Sequence, residues 1–259
     1  MAFIRTAVVL LALLAAPASL LAADLDCKGT GKVEEFHYAW RLKGGMRLLA
    51  GLMFPTNGVG NLRTTYLDRV INSELLITAP NGRAGGFYSY ESQMDTAGEK
   101  TLMTASGYAW KDKARNERTI FDWAKRLVRI RKQSPGEEAQ NRVKPLPEQA
   151  ELRDVLTAIH YLREHATDIR QPLTTSIYTD GKEYPVVFRP TEHRTFVIDS
   201  RKVDAMGFEI VDAPGGRKWS GGIKVWLTND ARRIPARIEI QQSVASLQLD
   251  LKSFEGCRS

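Results

Sequence analysis

The sequence predicts a mainly β protein: a curved antiparallel sheet, or an open or closed β-barrel, of about a dozen strands with one amphipathic helix packed against it. Three observations predict this fold. From Gly221 to Ile240, hydrophobic and polar residues alternate on both sides of an Asn229-Asp230 turn, which is typical of an antiparallel hairpin. Many other short runs alternate in the same way. Only the stretch 152–162 repeats with a helical period.

The first 23 residues have the pattern of a secretory signal peptide. Arg5 precedes an apolar run from Ala7 to Ala16, and small residues follow as far as Ala23. The apolar run is too short to span a bilayer. We therefore expect cleavage near Ala23, a periplasmic location without a transmembrane segment, and a single β-rich domain over residues 24–259. An uncleaved membrane anchor is the alternative.

Alternating segments predict seven strands before the helix. They cover 36–42, two runs within 62–78, and then 87–95, 101–110, 118–122 and 124–132. In the run 87–95, aromatic and polar residues occur on both faces, as expected for a wall with a semi-polar interior. The segment 133–148 contains three prolines and a glycine, which predicts a long exposed loop.

The helix is predicted over about 150–165. Its apolar residues recur at spacings of three and four, which places them on one face: Leu152, Val155, Leu156, Ile159 and Leu162. Strands are expected after it at 174–178, 183–189, 194–200 and 207–212, then in the hairpin, and last at 245–254. Pro235 cannot donate to a strand ladder, so it should lie at a strand start or on an edge.

The charge of the chain favours anionic surfaces without indicating nucleic acid. The 259 residues include 37 basic and 30 acidic side chains, a net charge of +7, but no nucleic-acid-binding motif. Cations concentrate in the segment 126–132 and at Arg232 and Arg233. Such a basic surface can dock another envelope protein, whereas charges that protect an edge strand from aggregation are the alternative.

No motif for catalysis or metal binding is present. The histidines at 37, 160, 165 and 193 form no HExxH or HxH pattern, and the sequence lacks a GxSxG elbow, a Walker loop and a GxGxxG after a strand. We expect no enzymatic activity, no metal and no cofactor. A hydrolase of envelope polymers, with catalytic residues brought together from distant segments, is the less favoured alternative.

The candidate binding site is a groove of the curved sheet. Aromatic rings and guanidinium groups in predicted strands are its candidate lining residues: Tyr90, Trp110, Trp226, Arg233 and Arg237. The groove would hold a lipid, an acylated protein or a glycan. The alternative is that these side chains only fill a core between the sheet and the helix.

Two cysteines, Cys27 and Cys257, lie near the two ends of the exported chain. Export permits disulfides, and two cysteines allow one intramolecular pairing. We predict a bridge that ties the first strand to the last and pins a seam between two otherwise exposed edges.

Five sequence blocks, in order, resemble the exported bacterial domain-of-unknown-function family 3108. They are YESQMD at 90–95, SGYAWKDKAR at 106–115, FDW at 121–123, LRDVLTAIHYLR at 152–163 and KVWLTNDARRIPARIEI at 224–240. The resemblance implies a periplasmic, β-rich protein without an assigned reaction, and it brings no catalytic residues. A non-enzymatic role in envelope assembly or maintenance is the resulting expectation.

Overall fold

The predicted fold class is confirmed by a computed structural model, which describes residues 29–44, 55–79, 87–110, 113–147, 151–166, 170–179, 181–219, 222–241 and 246–258. Within these ranges, fifteen strands form one large sheet, and one helix packs against its inner face. The sheet is antiparallel except at one short pair and does not close into a barrel. No helix in the described ranges is long and apolar enough to cross a membrane.

Nine strands precede the helix and six follow it. The first nine are β1 (Val33–Lys43), β2 (Asn57–Tyr66), β3 (Ile71–Thr78), β4 (Phe87–Met94), β5 (Thr101–Trp110), β6 (Lys113–Asp122), β7 (Leu127–Gln133), β8 (Gln140–Pro145) and β9 (Leu152–Arg153). The helix is α1 (Val155–His165). The last six are β10 (Leu173–Thr179), β11 (Lys182–Ile198), β12 (Arg201–Asp212), β13 (Gly222–Thr228), β14 (Pro235–Gln241) and β15 (Ser246–Arg258).

The first and last strands are neighbours, as predicted, but they lie in the middle of the sheet. β1 pairs with β2 on one side and with β15 on the other, where Val33 is opposite Arg258. The two edges are β8 and β9. The expectation of a seam between exposed edges at β1 and β15 is therefore wrong. Cys27 and the side chain of Cys257 lie outside the described residues, so the disulfide stays a prediction.

Side chains hold the two ends of the curved sheet together. A buried apolar cluster joins β6 and β7 to the other end of the sheet; its members are Phe121, Val128, Ile130, Leu146, Leu152 and Tyr178. The ring centroids of Phe121 and Tyr178 are 5.3 Å apart. Lys144 Nζ also donates a hydrogen bond to the carbonyl of Gly181 at 3.2 Å. The described strands β8 and β9 share no ladder, so packing rather than backbone pairing brings the edges close.

The helix begins later than the apolar repeat predicts. The carboxylate of Asp154 accepts hydrogen bonds from the backbone N–H groups of Leu156 and Thr157, which fixes the first turn after residue 154. Leu152 lies in β9 and not in the helix, although it is fully buried. Its burial explains why it continues the apolar repeat without being helical.

Two other predicted elements need correction. The expected loop at 133–148 contains β8, an edge strand whose residues are mostly exposed on both faces. Its polar sequence therefore lacks alternation. The strands predicted at 183–189 and 194–200 form one strand, β11, which has an irregularity in its pairing between Pro190 and His193. Pro235 begins β14, as predicted.

Candidate functional site

A groove runs along the outer face of β5, on the side of the sheet opposite the helix. Its volume is about 670 Å³, and β3 to β7 form it. Most of its lining residues alternate along their strands with the inward-facing ones: Glu74, Leu76, Ser89, Glu91, Ala105, Gly107, Asn116, Arg118, Arg131 and Gln133. Leu75, Tyr90, Ser106 and Glu117, which lie between them, form its base.

The groove follows from the sequence of β5. Ala105, Gly107 and Ala109 occupy successive outward positions, so this strand contributes almost no side-chain volume to the outer face. Its neighbours carry longer outward side chains, including Glu91 on β4 and Arg118 on β6. A strand of small residues between strands of large ones leaves a trough.

Charges are segregated across this trough. In one transverse row, Glu74 is opposite Glu91, and Arg118 is opposite Arg131, with Ala105 between the two pairs. One wall of the groove is therefore acidic and the other basic.

Amide side chains hold three of these four charged groups. Asn72 Nδ2 donates to Glu74 at 2.8 Å, and Gln93 Nε2 donates to Glu91 at 3.2 Å. Arg131 donates to Gln133 Oε1 at 3.5 Å. Each amide lies two residues away on the same strand and is neutral, so it orients the charged group without neutralising it.

Of the sequence-predicted groove residues, the structure brings Trp226 and Arg237 together, but not in an open groove. The guanidinium of Arg237 lies 5.7 Å from the Trp226 ring centroid and donates to Asp250 at 2.5 Å. Trp226 is only 1% exposed, because the hairpin of β11 and β12 covers it with Phe196 and Arg194.

Among the other three predicted residues, Tyr90 contributes to the base of the β5 groove. Tyr90 has its ring on the inner face near Asp154, and burial raises the pKa of its hydroxyl, with the Asp154 carboxylate adding to the effect. Arg233 donates to the backbone carbonyl of Arg163 at the end of the helix. The side chain of Trp110 lies outside the described residues. The small outward residues of β5 were not predicted as part of the site, although Ala105, Gly107 and Ala109 alternate visibly in the sequence.

The helix ends are fixed by buried polar contacts that hold the two sides of the sheet in place. At its start, Asp154 accepts hydrogen bonds from the hydroxyls of Ser92 and Thr101, at 2.5 and 2.8 Å, and so ties the helix to β4 and β5. Near its end, both terminal nitrogens of Arg163 donate to Glu34 on β1 at 3.0 Å. Burial opposes ionisation of Glu34, but the adjacent Arg163 overcomes it and holds the pKa of Glu34 below its ordinary value.

The predicted basic surface is partly neutralised and divided between elements. Arg126 donates to the carbonyl of Pro147, Arg129 lies 3.4 Å from Asp122, and Lys132 lies 2.8 Å from Glu117. Arg232, in the turn before β14, pairs with Asp230 at 2.8 Å. The two basic segments therefore belong to separate parts of the sheet.

Titratable groups also converge at a second cavity, of about 520 Å³, beside the end of the helix. There, Glu99 contacts both His165, at 3.0 Å, and Arg153. His160 and Glu164 also line the cavity and have interaction partners. Glu99 therefore joins the end of the helix, through His165, to Arg153 of β9.

One trio of side chains in the described residues has metal-ligand spacing. Ligand atoms of Glu35, His37 and Glu255 lie within 4.8 Å of one another on β1 and β15. Arg63 lies 3.5 Å from Glu35, and His37 lies 3.7 Å from Glu255. The guanidinium of Arg63 already supplies part of the charge balance that a metal would supply.

Comparisons with known proteins identify a family and a fold. A model of the family described as "Protein of unknown function (DUF3108)" matches residues 60–252. A solved structure of a beta-barrel-like protein of domain of unknown function DUF1849 from Brucella abortus is similar, with a TM-score of 0.56 and 9% identity. The likeness covers 89% of this chain and 100% of that one. At this identity the likeness concerns the fold alone. The search among curated proteins gave no match.

Proposed function

The chain belongs to the DUF3108 family, whose description assigns no function, so we propose a role from the geometry of the protein itself. We propose that it is a non-enzymatic periplasmic protein of envelope assembly or maintenance. It would bind a polar envelope molecule, such as a glycan, in the groove along β5. The observation that carries this proposal is the groove itself, an open trough of about 670 Å³ with oriented charged groups on both walls. The signal-peptide pattern supports the periplasmic location.

A polar ligand fits the groove better than an acyl chain does. Ten of its fourteen lining residues have polar or charged side chains, although apolar atoms supply the larger share of its exposed surface. The inner face of the sheet, where an acyl chain would avoid water, is instead packed with protein side chains such as Leu162 of the helix, Phe208 and Leu249, each at most 1% exposed. Among the ligands considered from the sequence, these features favour a glycan over a lipid or an acylated protein.

Binding rather than catalysis is supported by where the perturbed groups lie. Enzymes shift pKa values at the groups that react with substrate. Here Glu34 and Arg163, whose pKa values are shifted, hold the helix against the sheet at a distance from the outer face of β5. Tyr90 lies at the base of the groove, but its hydroxyl, whose pKa burial raises, is on the inner face beside Asp154. The groove is therefore suited to hold a molecule without transforming it.

The proposal is tested by filling the groove. Purified protein is incubated with a fractionated extract of soluble envelope glycans and polar headgroups, and bound species are identified by native mass spectrometry. Wild type should retain a polar species that Ala105→Trp loses, because the bulky ring occupies the trough. Ala114→Trp, placed on β6 toward the end of the groove, should retain partial binding, and circular dichroism checks that both variants fold.

Two results would count against the proposed function. One is a wild-type protein that retains no polar species at any concentration tested. The other is retention of the same species to the same extent by Ala105→Trp, since the molecule would then bind elsewhere.

A further inference from the structure

The groove contains two like-charged pairs that disfavour the folded sheet. Glu74 is directly opposite Glu91, and Arg118 is directly opposite Arg131. Like charges at opposite positions of neighbouring strands repel each other. Elsewhere on this sheet opposite charges are paired in the same register, as with Arg189 and Glu209, 3.1 Å apart.

Neither arginine is neutralised within the protein. Across the part of the chain that the structure describes, no carboxylate is paired with Arg118 or Arg131, and the contact of Arg131 is to the neutral amide of Gln133. The two glutamates likewise accept only from amides. Exchanging Glu91 and Arg118 would convert both like-charged pairs into ion pairs on the same backbone, so strand pairing alone does not account for the arrangement.

We infer that the groove recognises a zwitterion: a phosphate or carboxylate held by Arg118 and Arg131, with an ammonium group held by Glu74 and Glu91. This inference rests on the proposed groove function and specifies its ligand class. A zwitterion places an opposite charge against both walls at once, whereas a purely anionic or cationic ligand leaves one like-charged pair uncompensated. Two adjacent guanidinium groups also match the planar, bidentate geometry that phosphate and carboxylate accept.

The width of the groove sets the size of this zwitterion. Glu91 and Arg118 are two strands apart, which corresponds to about 10 Å between their backbones at the usual strand spacing. Charged hydrogen bonds of about 3 Å at each end leave about 4 Å between the two charge centres of the ligand. A phosphoethanolamine group has this compact form, and it occurs both on decorated glycans and in lipid headgroups.

Calorimetric titration with defined probes tests the charge requirement. Glycerophosphoethanolamine, which carries charges of both signs, should bind at least about tenfold more tightly than glycerol 3-phosphate or ethanolamine, each of which carries charge of one sign only. Sedimentation with phosphatidylethanolamine vesicles distinguishes the source of the group. Vesicle binding that the soluble probe displaces indicates a lipid headgroup, and soluble binding alone indicates a free or glycan-linked group; either result supports the inference.

Matched variants locate the contacts. Arg118→Gln and Glu91→Gln should each weaken binding of glycerophosphoethanolamine by about tenfold, because each removes a charged hydrogen bond. Arg142→Gln is the control, since this exposed residue of β8 is opposite the buried Ile130 and so lies on the other face. A fourfold variant exchanges the charges of the two walls: Glu74→Arg, Glu91→Arg, Arg118→Glu and Arg131→Glu. It should bind glycerophosphoethanolamine as wild type does, with the ligand in the opposite orientation.

The result that overturns the inference differs from the one that overturns the proposed function. If glycerol 3-phosphate binds as tightly as the zwitterion and Glu91→Gln has no effect, the groove binds an anion only, and the zwitterion inference fails while groove binding stands. If Ala105→Trp retains every ligand that wild type retains, the groove is not the site and both fail. A fourfold exchange that folds but binds neither orientation also overturns the inference.

Discussion

The two sides of the sheet use the same strand pairing for different purposes. On the inner face around β15, register aligns an apolar row: Trp40, Leu249, Ile238, Val225 and Phe208, all buried. On the inner face from β2 to β6, the strand register instead aligns a row of residues with hydroxyl side chains: Thr64, Ser73, Ser92, Thr104 and Thr119.

The outer faces differ as well. The hairpin of β11 and β12 covers the outer face over Trp226, whereas the outer face of β5 is open and holds the groove. The side around β15 therefore supplies most of the apolar burial, whereas the side around β5 is less buried and presents an exposed, oriented polar surface. The helix connects the two sides, since one end is tied to β4 and β5 and the other to β1.

The largest expected effect comes from breaking the connection at the end of the helix. Arg163→Met should lower the free energy of unfolding by about 3–5 kcal/mol, because it leaves the Glu34 carboxylate buried without its charged partner. Chemical denaturation measures the loss. The double variant with Glu34→Leu should recover most of it, and a double variant as unstable as the single one would contradict this account.

Next in size is a matched leucine pair that compares the two sides directly. Leu249→Ala should cost about 2–5 kcal/mol, because the side chain is 1% exposed within the apolar row. Leu76→Ala, on the groove wall at 41% exposure, should change stability by less than about 1 kcal/mol. If urea denaturation shows that both variants lose the same free energy of unfolding, burial does not differ between the two sides as described.

The predicted disulfide would strengthen the centre of the sheet, where both sides meet. Cys257 lies in β15 beside Arg258, which is opposite Val33, and Cys27 is six residues before Val33 in the sequence. Cys27→Ser should lower stability by about 2–4 kcal/mol, and reductant should destabilise wild type but not the variant. Two free thiols titrated in periplasmic protein would contradict the bridge.

Acid should weaken the connection between the helix and β1. Glu34 has a pKa below its ordinary 4.5 in the folded state, so the unfolded chain binds more protons. Its contribution is fully present above about pH 4.5 and is lost as the pH falls through the lower folded value. Denaturation midpoints should therefore fall with decreasing pH in wild type, and fall less steeply in the Glu34→Leu, Arg163→Met double variant.

The smallest expected effect sharpens the contrast between stability and binding. Exchanging one charge on each wall, with Glu91→Arg and Arg118→Glu, should raise the free energy of unfolding by about 0.5–1 kcal/mol, because both like-charged pairs become ion pairs. The same exchange should abolish zwitterion binding, since each wall becomes neutral. Thermal denaturation and calorimetry measure the two effects in one preparation.

The sequence predicted those elements whose side chains face different surroundings on their two sides. The hairpin of β13 and β14 was predicted because one face is buried and its residues alternate accordingly. β8 was missed because an edge strand exposed on both faces has no reason to alternate. The start of the helix was misplaced because Leu152 is buried in β9 for a different reason from the helical leucines.

The groove could not be predicted in the same way, because it depends on register. Ala105 and Gly107 indicate a small-residue strand face, but five strands must be aligned before Glu91 and Arg118 are seen to lie on opposite walls. The aromatic residue Trp226, which the sequence suggested as a groove residue, is instead buried by packing.

The central position of the pair β1–β15 constrains the order in which the protein assembles. Val33 is the first strand residue in the described part of the chain, yet its partner Arg258 is at the end of the last described strand. Contacts between residues so distant in sequence form slowly, because the entropy cost of closing a long loop comes before the favourable energy of the contact. Until β15 is in place, β1 has a strand partner on one side only, and its other edge is open to aggregation.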